Sequence, residues 1–202
     1  MKLTAHRTLL LASTLLALPA AAQAHLTGTG LGPFYDGVTH FFLSPEQIIP
    51  VFALALFAGL RGKGTGRATL FLLPAAWLVG GFAGLARPVL GQFSLLTCLA
   101  FLVLGALVAS DAELPPRFVA AVALVFGVAL GYINGSDLST TNVGTLGLLG
   151  TATAIFVLTA LVAAVVVSLL VPWTRIVIRV AGSWIVAAGL LFLGWTFHSH
   201  SL

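Results

Sequence analysis

From residue 45 onward, long apolar runs alternate with short polar stretches, and this punctuation predicts six helices. A helix that crosses a bilayer needs about 20 apolar residues, with a range of about 17–25. The first predicted helix covers 45–60, with Ser44 as N-cap, Pro45 at its first position and Pro50 one turn in as a source of a kink. The second covers 68–86 and contains Pro74, and the third covers 93–109. The fourth, 117–133, follows Pro115 and Pro116 and is expected to stop at Asn134 and Gly135, residues that favour a left-handed C-terminal conformation. The fifth covers 146–170, where Pro172 ends it, and the sixth 176–197. The intervening loops are too short for a soluble domain. The expected fold is therefore all-α, a polytopic transmembrane helical bundle of six helices forming one domain over 25–202.

The segment before this bundle reads differently. Residues 1–24 carry Lys2 and Arg7, then a short apolar stretch over 9–18, then Pro19 and an Ala22-Gln23-Ala24 cleavage pattern. These are the marks of a cleaved secretory signal peptide. The mature chain would then begin at His25, outside the cytoplasm, with a free amine and an imidazole on one residue.

Composition narrows the class. The chain is 59% hydrophobic and 7% charged, with a mean hydropathy of +1.13, against about 25% charge in an ordinary soluble domain. So few charges cannot cover a soluble globule, which excludes a soluble enzyme, a nucleic-acid binder and a disordered chain. The net charge of +4 is scattered and does not form a nucleic-acid surface. Cys98 is the single cysteine, so an internal disulfide is excluded. With His25 outside, Arg61, Lys63, Arg67, Arg117, Arg175 and Arg179 fall in cytoplasmic loops, and only Arg87 is external. This is the asymmetry of the positive-inside rule. It predicts a bacterial inner-membrane protein with both mature termini in the periplasm, its main partner being the lipid bilayer.

In that topology the polar residues able to hold a metal gather on the external side: His25, Asp36, His40, Glu46, Gln47, Asn134 and Asp137, with His198 and His200 in the tail. Imidazole with carboxylate suits a divalent transition metal, and the lack of available thiolate argues against a soft site. Asp36 and His40, four residues apart, would share one helix face, where the carboxylate could orient the imidazole or join it on a metal. Each residue also has a plainer reading. Asp36 could cap a helix, Glu46 is favoured by the helix dipole in a first turn, Asn134 could simply end a helix, and the tail histidines could be solvated. No G-x4-G-K-[ST] motif is present, so the chain has no ATPase of its own. Ser136 lies near Asp137 without a nucleophile motif around it, and no enzymatic activity is expected.

Two stretches, HFFLSPEQ (40–47) and LGYINGSD (130–137), resemble motifs of the HupE/UreJ family of bacterial membrane proteins. In that family a His-x5-Asp-His motif enters the first helix, and an H-G-x-[AV]-H-G-x-E motif lies in a later one. His40 matches the first histidine. Glu46 stands at the Asp position and Gln47 at the second histidine. In the later motif Leu130 and Asn134 replace the histidines, Gly131 and Gly135 match, and Asp137 stands at the Glu position. The resemblance implies a permease for a divalent metal, nickel or cobalt, carried as cargo with no tightly bound cofactor. Homo-oligomers or accessory proteins of metalloenzyme assembly are the implied partners. Three lost imidazoles leave open a second reading, a non-transporting membrane accessory or metal-binding protein of the same fold.

Overall fold

Proline sets the first feature of the fold. A residue preceding proline is driven out of the α region, and Ser44, before Pro45, is extended at φ −104° and ψ 92°. The chain therefore breaks there into α1 (Pro33–Leu43) and α2 (Pro45–Leu60), two helices bent by 76°. The computed structural model describes residues 28–89, 94–141, 143–169 and 172–200. Residues 1–24, where a signal peptide is expected, and His25 lie outside the described residues. After α2 come α3 (Lys63–Ala86), α4 (Ser94–Ser110), α5 (Pro116–Ser139), α6 (Gly144–Ser168) and α7 (Pro172–His200). Among the described residues every element is helical.

Four of these helices, α3, α5, α6 and α7, are long and apolar enough to cross a membrane, and the bent pair α1–α2 makes a fifth candidate span. Over Leu95–Ser110, α4 is apolar but shorter. Large apolar side chains such as Phe71, Leu161, Trp184 and Leu191 stand on the outside of the bundle. A belt of that kind is suited to lipid rather than water. The chain is a multi-pass membrane protein.

The helix pattern departs from the sequence expectation in two places that matter. First, an additional helix, α1, precedes the first span. Its Pro33 stands at the first helical position and its buried Phe41 packs edge-on against Trp77, with ring centroids 6.3 Å apart. Second, α5 does not stop at Asn134 but continues to Ser139, and the Thr140 N–H closes it on the Asp137 carbonyl. Asn134 does not divert its own backbone because its side chain is occupied by tertiary hydrogen bonds. Gly135 is a contact surface rather than a left-handed terminus: a Cβ there would lie 2.1 Å from the Gly81 carbonyl oxygen.

That contact belongs to a longer seam. α3 and α5 run parallel, with Gly127 against Leu73, Gly131 against Trp77 and Gly135 against Gly81. A Cβ on Gly131 would come within 2.3 Å of the Trp77 carbonyl oxygen. Small residues let backbones approach where lipid gives no hydrophobic drive for association. α4 and α7 pair similarly through Gly105 and Gly182.

The opposite end of the bundle is basic. Arg61, at the end of α2, is buried and pairs with Asp111 in the turn after α4. Asp111 also faces Arg175 at 3.6 Å, and the Arg179 guanidinium donates to the Ala109 carbonyl at 2.9 Å. These bonds tie together α2, α4 and α7 at the end where α3 and α5 begin, so the Lys/Arg-rich loops of the sequence share one side of the bundle.

Candidate functional site

Trp77 is fully buried on α3, and its indole N–H can only donate. It donates to Asn134 Oδ1 on α5 at 3.2 Å. With its oxygen taken, the Asn134 amide nitrogen donates to Gln47 Oε1 on α2 at 3.1 Å. The Gln47 amide nitrogen then lies 3.3 Å from His40 Nε2 on α1. An amide nitrogen also only donates, so this contact makes His40 Nε2 the acceptor and puts the ring proton on Nδ1. A single hydrogen-bond direction, set by one indole, thus passes through four helices and ends on an imidazole lone pair.

The fold supplies each member for a local reason. The break at Ser44–Pro45 turns α1 across the start of α2, which brings His40 back over Gln47 seven residues later. The glycine seam draws α5 against α3 and so seats Asn134 beside Trp77. Gln47 and Asn134 are buried at 2% and 0% exposure, where an unmade hydrogen bond costs about 1–3 kcal/mol. Their mutual bonds hold α2 and α5 in register. Pro50 lacks an N–H, so the Glu46 carbonyl loses its partner within the helix. A main-chain oxygen without its usual helical donor therefore lies next to Gln47 in sequence.

Of the seven residues singled out in the sequence, three, His40, Gln47 and Asn134, are joined directly. Glu46, half-buried in the first turn of α2, lies within electrostatic reach of both His40 and Asp137. Asp137 is one turn beyond Asn134 on α5 and exposed. Asp36 is engaged elsewhere: its Oδ1 accepts from the Thr29 N–H and, at 2.7 Å, from the Thr29 hydroxyl. It therefore anchors the segment before α1 without capping the helix, whose N-cap is Gly32 and carries no side-chain bond. His25 lies outside the described residues. His198 is exposed near the end of α7, and the side chain of His200 is not among those described.

Trp77 is the participant that sequence reasoning missed. Its signal was a tryptophan in the middle of a span, remote from the interfaces where the indole N–H finds water, so a buried partner was required.

Among the described residues no group of three or more His, Cys, Asp and Glu side chains is arranged to hold a metal ion. The ligand chemistry at this end is one imidazole, two amides and nearby carboxylates. At the basic end, a cavity of about 300 Å³ is lined in part by Lys63, Thr174 and Arg175. Its charge does not suit a cation.

Comparison with known proteins bears on the family of the chain. The sequence model of a family described as HupE / UreJ protein matches residues 13–192. Protein HupE of Rhizobium leguminosarum bv. viciae is 27% identical over 182 residues, covering 88% of this chain and 93% of that protein. No solved structure matches the chain.

Proposed function

The chain belongs to the HupE/UreJ family, and from that premise we propose that it is an inner-membrane permease passing a divalent transition metal, nickel or cobalt, from periplasm to cytoplasm. The observation that carries this reading is the hydrogen-bond chain ending on the His40 lone pair. It is a weak metal site by construction. To reach Nε2 a cation displaces the Gln47 amide, and the oxygens it gains in return are poor ligands for nickel beside imidazole. A permeation site needs that balance: binding strong enough to admit the ion and weak enough to release it. Glu46 and Asp137 add negative charge at the mouth, which raises the local concentration of cations. Entry is driven by the membrane potential, at about 2.3 kcal/mol per charge per 100 mV.

The test is metal accumulation in cells with and without the protein, across nickel, cobalt, zinc, iron and manganese. Nickel or cobalt is expected to accumulate above the control, and His40→Ala to reduce that gain most. Equal accumulation of all five metals with and without the protein removes the permease reading.

The accessory-protein alternative has its own supporting observation: the polar chain is internally satisfied and needs no metal to complete it. In that case no metal accumulates, while nickel still binds the purified protein.

The proposed orientation has both mature termini in the periplasm and the Arg61, Asp111, Arg175 cluster facing the cytoplasm. A C-terminal alkaline phosphatase fusion is then active and a C-terminal green fluorescent protein fusion dark. The reverse pattern means that an odd number of segments cross after the signal.

A further inference from the structure

Hydroxyl side chains in these helices mostly bond back to the carbonyl one turn earlier. Thr65 does so to Arg61, Ser136 to Tyr132, Thr151 to Gly147, Thr153 to Leu149 and Thr196 to Phe192. That local bond is the standard way to satisfy a hydroxyl inside a bundle. Thr69 on α3 and Thr159 on α6 depart from it. Both are 0% exposed, and neither hydroxyl has a hydrogen-bond partner within the protein.

The two belong to one place. α3 and α6 pack antiparallel, with Gly66 against Ala163, Phe71 against Phe156 and Gly81 against Leu148. That register puts Thr69 level with Thr159. Phe71 and Phe156 stand on the exposed side of the same pair of helices, while the threonines are inside. Pro74 removes the N–H that would bond the Leu70 carbonyl, so the main-chain oxygen next to Thr69 in sequence lacks its usual helical donor. Along α3, Thr69 lies eight residues from Trp77, about 12 Å toward the basic end at 1.5 Å per residue. A buried hydroxyl left unpaired costs about 1–3 kcal/mol, and here two of them occur at one level of one interface.

We propose that Thr69 and Thr159 form an inner oxygen station that receives a hydrated divalent cation after it leaves the His40–Gln47–Asn134 chain. This rests on the permease reading. The station offers hydroxyl oxygens and no imidazole, so it suits an ion that keeps part of its water shell. Such an ion is held loosely and passed on.

The experiment uses the full-length protein in proteoliposomes with external Ni²⁺ as the probe, together with a cysteine-accessibility arm. Thr→Val preserves shape and deletes the hydroxyl. The Thr69→Val/Thr159→Val double variant is expected to cut nickel influx about tenfold, the scale of one buried hydrogen bond placed on the rate, while its thermal stability stays level or rises. The Thr69→Ser/Thr159→Ser double variant, which keeps the oxygens, retains influx. Unchanged influx in the valine variant, with raised stability, means that the hydroxyls are unpaired structural groups and overturns the proposal. In a Cys98→Ala background, Thr69→Cys is expected to react with a small charged methanethiosulfonate, and Ni²⁺ to slow that reaction. No reaction overturns the station whatever the flux. If the wild type carries no nickel while Thr69→Cys still reacts and is protected, the permease reading fails and the station stands as a binding site.

Discussion

Changing both Gly131 and Gly135 to alanine is expected to separate α3 from α5 and to dismantle the polar chain with them. Each new Cβ would meet a main-chain oxygen, at 2.3 Å from Trp77 and at 2.1 Å from Gly81. A flexible side chain could swing away from such a contact; a helix backbone cannot. Overpacking costs about 1–3 kcal/mol per site, and two sites on one rigid seam reach about 3 kcal/mol or more. The loss is expected as a lowered thermal midpoint in detergent, read by circular dichroism. Function is lost as well, because Asn134 moves off Trp77 and releases Gln47. Gly64→Ala is the control. A Cβ there meets nothing within 4 Å, and alanine favours the helix, so stability is maintained. An unchanged midpoint in the Gly131→Ala/Gly135→Ala variant would mean that the seam is not the constraint described.

The second large effect is expected at the basic end. Asp111→Asn removes the carboxylate facing Arg61, whose side chain is only 8% exposed and whose Nε has no partner. Breaking a buried pair from one side costs about 3–5 kcal/mol, since the remaining charge is stranded. Asparagine is the informative replacement. Asp111 has φ 51°, a left-handed conformation that asparagine tolerates, so the substitution isolates the charge from the turn. Adding Arg61→Met is expected to recover much of the loss, because an apolar residue needs no counter-ion there. Glu113→Ala, two residues on and exposed, stays within about 0.5 kcal/mol of the wild type. If Asp111→Asn were as stable as Glu113→Ala, the ion pair would not be holding α2, α4 and α7 together.

Much of this architecture was legible from residue pattern. Hydropathy and proline punctuation located every long helix, and 45–60 coincides with α2. What was not legible follows from tertiary contacts. α1 is 11 residues long, too short to register as a span, and only its packing on Trp77 and α6 explains its presence. At Asn134-Gly135 a local rule pointed to a helix end. The rule was overridden because the Asn134 side chain found Gln47 and Trp77 rather than its own backbone, and because Gly135 was needed flat against Gly81. The site divides in the same way. Spacing and the family motifs singled out His40, Gln47 and Asn134 among seven polar residues, and in the fold these three are joined by hydrogen bonds while Glu46 and Asp137 stand beside the chain rather than in it. Asp36 looked like a partner for His40 by its i, i+4 spacing, yet Thr29 holds it. Sequence spacing gives the face of a helix, and competing donors decide what a carboxylate does there.

The glycines of the second motif gain a physical role from this geometry. Gly131 and Gly135 are where α5 touches α3 backbone to backbone, so they set the distance at which residue 134 meets residue 77. With asparagine at 134 and glutamine at 47, the amides bond to each other and leave one imidazole at the end of the chain. With histidine at those positions, the same backbone would offer a metal three imidazoles.

The central claim is that a divalent metal engages this chain through His40. Isothermal titration of nickel into the purified, detergent-solubilised protein tests it most directly, comparing wild type, His40→Ala and the Gln47→His/Asn134→His double variant. The expected result is weak binding in the wild type, its loss in His40→Ala, and tighter binding in the double variant, because imidazole outcompetes amide oxygen for nickel. Equal affinity in the wild type and His40→Ala, with no gain from the added histidines, would contradict it.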